Sequence, residues 1–145
     1  MITPAPTSKI GPKLARGVLA EVVAPTATKP GYIRMTFLNT NYELHLLATG
    51  PIHTPVGKRL IGTIHAKAKR IDTVDTGGRY VEPVYGRPRR VQGTVVAVEG
   101  GEVVVDAGMP IHCTPTDARQ QASGFAPGDF VSFDVLDGAE FRPTA

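Results

Sequence analysis

The sequence predicts a mostly β protein, folded as two tandem small β-barrels with one short helix in the second. Three observations lead there. Residues 58–71, KRLIGTIHAKAKRI, alternate, with Leu60, Gly62, Ile64, Ala66 and Ala68 on one side and Arg59, Ile61, Thr63, His65, Lys67 and Lys69 on the other. That is the period of a strand with one buried face and one basic face. The 16 glycines and 13 prolines favour many turns and short strands over helices. The series of short apolar segments and turn signals also starts afresh after GRPRR at 86–90. The expected organisation is a flexible tail over 1–12, a basic first barrel over 13–86, a linker at 87–90 and an acidic second barrel over 91–145.

In the first half, LARGVLAEVV at 14–23 reads as a strand and APTATKPG at 24–31 as a loop. YIRMTFL at 32–38 and YELHLLA at 42–48 form a hairpin around Asn39, Thr40 and Asn41, because Asn tolerates a positive φ. A loop with two prolines covers 49–57, and the long strand follows. Asp75 to Gly78 is turn chemistry, and RYVEPVY at 79–85 is the expected return strand. Pro83 cannot donate to a ladder, which places that strand at an edge.

In the second half, VQGTVVAV at 91–98, VVVDA at 103–107 and MPIHC at 109–113 are strands, the first two joined by a Gly100-Gly101 turn. TPTDARQQASG at 114–124 carries helix signals, with Thr114 or Thr116 to cap it, Asp117 in the first turn and Gly124 at the end. DFVSFDVL at 129–136 and a last strand at 139–142 form a hairpin around Asp137-Gly138. The halves repeat in outline. GVLAEV at 17–22 resembles GTVVAV at 93–98, and ELHL at 43–46 resembles PIHC at 110–113.

Charge is divided unevenly. Through Arg90 there are 14 Lys and Arg against 5 Asp and Glu, and beyond it 2 against 8, within a net charge of +3. A basic half points to nucleic acid or another anionic partner, or to the acidic half of a second copy. One cysteine, Cys113, excludes an internal disulfide and fits a reducing compartment. No apolar run nears the roughly 20 residues that cross a bilayer. The N-terminus lacks a basic-then-apolar leader pattern, so a cytoplasmic chain with no membrane contact is expected.

The order strand, strand, strand, helix or loop, strand resembles the OB-fold, a five-stranded Greek-key barrel that binds oligonucleotides and oligosaccharides. The resemblance is one of pattern over residues 14–142, with an SH3-like barrel pair as the nearest rival. It implies a binding face on the second and third strands and their flanking loops. Cations there would track a phosphate backbone and aromatics would stack on bases. The candidate nucleic-acid-binding residues are Tyr32, Arg34, Tyr42, His65, Lys67, Lys69, Arg70 and Arg79. Tyr32 and Tyr42 serve equally well as an ordinary cross-strand pair.

No enzymatic signature stands out. There is no nucleophile elbow, and no glycine-rich phosphate loop precedes a helix. His112 and Cys113 are neighbours on a strand and point to opposite faces. Among His45, His53, His65 and His112 none has the short paired spacing of a zinc site. Only an assembly of His53, His112 and Cys113 by the fold stays open. The expected function is non-enzymatic nucleic-acid binding by the first barrel, single strands ahead of duplexes, with no cofactor and no metal. The alternative is a structural protein that forms charge-complementary homo-oligomers.

Overall fold

Alternation in the long basic strand organises the observed architecture. The computed structural model describes residues 13–144. Its strands, in chain order, are β1 (Ala15–Val23), β2 (Tyr32–Phe37), β3 (Glu43–Ala48), β4 (Arg59–Ala68), β5 (Ile71–Thr73) and β6 (Tyr80–Glu82). They continue with β7 (Tyr85–Gly86), β8 (Arg90–Glu99), β9 (Glu102–Asp106), β10 (Pro110–Pro115), β11 (Phe130–Asp134) and β12 (Leu136–Pro143). The protein is mostly β, and no helix among the described residues is long and apolar enough to cross a membrane.

β1, β2 and β3 form an antiparallel meander, and β4 returns antiparallel to β1. The gap between β3 and β4 is filled by β12, parallel to β3 and antiparallel to β4. The ring β1-β2-β3-β12-β4 thus closes as a five-stranded barrel, compatible with an OB-like barrel. β8, β9 and β10 form a second antiparallel meander, and β10 runs parallel along the other side of β4. β11 pairs with both β8 and β5. Only Lys69 and Arg70 separate β5 from β4, so this second run of strands returns to the continuation of the strand it left.

The inner face of β4 is Leu60, Gly62, Ile64, Ala66 and Ala68, all buried, as the alternation predicts. Phe141 of β12 and Phe133 of β11 are among the largest fully buried side chains. Gly62 is required by β12, since a Cβ there would sit inside contact distance of the Arg142 carbonyl and 2.6 Å from the Phe141 ring. Gly17 and Gly93, paired by the internal resemblance, share one role. A Cβ at Gly17 would meet the Thr36 carbonyl at 2.5 Å, and one at Gly93 would collide with the Asp106 carbonyl.

Three expectations are corrected. The helix over 114–124 does not form: β10 runs through Pro115 and only a three-residue 3-10 turn, Ala122–Gly124, remains. The backbone donors of that segment are spent on the end of β4, Thr116 N–H on Ala68 O at 2.8 Å and Asp117 N–H on Lys69 O at 3.0 Å. The Gln120 amide completes the edge by bonding both N–H and C=O of Ile71, at 2.8 and 2.7 Å. Residues 79–85 do not return along the long strand. β6 pairs with β8, and β7 adds to β3. β11 and β12 are not a hairpin either, because β12 crosses into the ring while β11 stays with β8. The tail at 1–12 lies outside the described residues.

Candidate nucleic-acid interface

Outward residues of β2 and β3 alternate with the core residues Ile33, Met35, Leu44 and Leu46. That alternation delivers Tyr32 from β2 and His45 from β3 to one patch. Their rings stack at 4.6 Å between centroids and 19° between planes. Tyr85, carried to β3 by the parallel pairing of β7, meets His45 edge-on at 5.1 Å. Tyr85 is 58% exposed, a large aromatic surface left to solvent. Beside these rings lies an open cleft of about 490 Å³ whose walls include Lys29, Tyr32, His45, Leu47 and Arg87. Burial, and then the charge of Arg34, hold the His45 imidazole below its ordinary value, and its Nε2 is buried with no hydrogen-bond partner among the described residues. The patch therefore offers aromatic faces and two exposed cations, Lys29 and Arg87.

The other predicted residues take different places. Arg34 lies between two carboxylates, bonded to Glu43 at 2.6 Å and Glu21 at 3.3 Å, so its charge is matched within the barrel wall. Tyr42 does not pair with Tyr32. It packs against the core, and its hydroxyl accepts the Val81 N–H at 3.1 Å. Arg70 is paired with Asp72 at 2.8 Å, and Arg79 with Asp106 at 2.9 Å. Lys67 and Lys69 are exposed at the end of β4. Lys69 lines a cleft of about 500 Å³ in which Arg70, Arg90 and Arg119 each hold an aspartate, at 2.8, 2.7 and 2.9 Å. Arg119 keeps the Asp117 carboxyl at about 2, so that pair stays ionised. Lys67 shares a smaller cleft with Leu47 and Arg142. Leu47 lines both this cleft and the aromatic one.

His65 is not part of an open cationic face. Its side chain is 11% exposed, with Nδ1 at 2.7 Å from Glu102 Oε2 and Nε2 at 2.7 Å from Thr63 Oγ1. The parallel register of β10 on β4 sets His112 directly beside it, with ring centroids 4.8 Å apart. Burial holds His65 below its ordinary value despite the carboxylate of Glu102. Cys113, one residue on, is buried in the core, and burial pushes its thiol far up. His112 and Cys113 thus face opposite ways, and His53 is exposed in the 49–58 loop, so these three do not assemble.

Sequence reasoning missed Tyr85, Lys29, Arg87 and Glu102. Tyr85 and Glu102 reach their partners through pairings between distant segments, which leave no local pattern. Lys29 stands in a loop in which nothing distinguishes it from a solvated lysine. Compared with known protein families, with curated proteins and with solved structures, the chain finds no match.

Proposed function

We propose that this protein binds single-stranded nucleic acid without catalysis, at the Tyr32–His45–Tyr85 cleft on β2, β3 and β7. The observation that carries the reading is the aromatic cluster with Lys29 and Arg87 at its margins. Single strands are held by that combination: aromatic faces accept bases of any sequence, and cations follow the backbone. Leu47 and the adjoining cleft with Lys67 and Arg142 give the strand a path onward. Duplex DNA fits less well, because no helix among the described residues projects from this face to enter a groove.

The test is fluorescence anisotropy with labelled oligonucleotides of about 12 nucleotides over a range of salt. Tyr85→Ala should weaken binding by about 1–3 kcal/mol, with little dependence on sequence. Lys29→Ala combined with Arg87→Ala should flatten the log–log salt slope by about 1.4, roughly 0.7 for each lost phosphate contact. Absence of any salt-dependent affinity at low ionic strength refutes the reading. Salt-sensitive self-association in light scattering would then put charge-complementary assembly in its place.

A further inference from the structure

His65, Glu102 and His112 meet on the outer face where β4, β9 and β10 run side by side. We propose that these three side chains bind one divalent transition-metal ion of the zinc type, through His65 Nδ1, His112 Nδ1 and a carboxylate oxygen of Glu102. The proposal does not depend on the nucleic-acid reading.

Geometry is the first argument. The candidate ligand atoms all lie within 4.8 Å of one another. Ligands placed tetrahedrally about 2.1 Å from zinc stand roughly 3.4 Å apart. His112 Nδ1 already lies 3.5 Å from Glu102 Oε1. His65 Nδ1 lies 2.7 Å from Glu102 Oε2 and must open by roughly 0.7 Å, a small rotation of the glutamate.

The pattern of protons is the second argument. His112 Nε2 is 2.8 Å from the Lys13 carbonyl, which only accepts, so Nε2 carries a hydrogen. In the neutral ring Nδ1 is then a lone pair, and it faces a carboxylate that also only accepts. The His112 side chain is 6% exposed, so water does little to relieve that mismatch. A cation between the two groups makes both contacts favourable. On His65, the tautomer that holds the ring's single proton on Nε2 donates to Thr63 Oγ1 and leaves the Nδ1 lone pair for the metal. Each histidine thus has a partner on its far nitrogen, the arrangement that orients metal-binding imidazoles. The cleft beside Lys67 is lined by His65 and Glu102 and leaves the fourth position for water or an incoming oxygen ligand. Glu140, in register with His65 on β12, offsets the charges of Lys67 and Arg142.

The experiment uses the full chain, stripped with a chelator and titrated with Zn²⁺ against a chromophoric competitor. One equivalent should bind. Loss of a supporting contact costs about 10–100-fold in metal affinity, so Thr63→Val should weaken binding about 10-fold and Glu102→Gln at least about 100-fold. A second readout needs no variant: ¹⁵N-detected imidazole spectra of the wild type should show Zn²⁺ shifting Nδ1 of His65 and His112 while His45 and His53 stay in place. Failure of the wild type to take up stoichiometric Zn²⁺ overturns the proposal. So does undiminished binding by Glu102→Gln, or a shift confined to His45 or His53.

Discussion

Phe141→Ala tests the claim that the last strand completes the barrel formed by the first four. Phe141 is fully buried in β12, its ring stands over Gly62, and it pairs with Ile64 of β4. Removing a buried phenyl ring costs about 3–5 kcal/mol through lost burial and the cavity left behind. For 145 residues each kcal/mol shifts the melting temperature by about 4 °C, so the drop should be about 12–20 °C. Phe130→Ala in β11, only half-buried, should cost clearly less. Thermal unfolding followed by far-UV circular dichroism gives the size of the effect, and native-state hydrogen exchange gives its location. The Thr49 N–H donates to the Phe141 carbonyl at 3.0 Å, so Thr49 should lose protection together with β4. A cost below about 1 kcal/mol, or lost protection confined to β8 and β11, would refute the barrel closure described here.

Gly62→Val should destabilise more than the same change at Gly50, because a Cβ at Gly62 meets β12 while Gly50 has open space around it; paired urea titrations decide this. His45 contributes a pH dependence whose sign is fixed. Its native pKa lies below the ordinary 6.5, so on acidification the unfolded chain takes up the proton first and stability falls from about pH 7 downward. Melting temperatures between pH 7.5 and 5.5 should decline, and His45→Gln should flatten the curve. Lys67→Ala with Lys69→Ala should lower the salt slope of oligonucleotide binding by about 1.4 while leaving stability nearly unchanged, since both are exposed. An unchanged slope places the nucleic-acid path away from β4.

Local pattern carried the strands, and long-range register carried the site. The alternation of β4 was legible because one face is buried over its whole length. The meanders β1-β2-β3 and β8-β9-β10 were legible because short turns join neighbours in sequence. The position of β12 was not legible, since an apolar segment after Asp137-Gly138 pairs as plausibly with β11 as with β3 and β4. The helix signals at 114–124 were genuine local preferences, but tertiary hydrogen bonds to Ala68, Lys69 and Ile71 override them. Of the predicted site residues, Tyr32 stands in the aromatic cleft, and Lys67 lines the cleft that adjoins it across Leu47. Arg34, Arg70 and Arg79 were indistinguishable in sequence from free cations. Their carboxylate partners come from neighbouring strands for Arg34 and Arg79, and from two residues along the chain for Arg70.

The chain has no tryptophan, so Tyr32→Trp would set a single indole beside His45 in the proposed binding cleft. Titration with a single-stranded oligonucleotide should quench that emission through base stacking, with a midpoint equal to the anisotropy Kd and a parallel shift with salt. Anisotropy showing binding while the indole emission stays unchanged would contradict the account, because the nucleic acid would then be held somewhere other than the aromatic cleft.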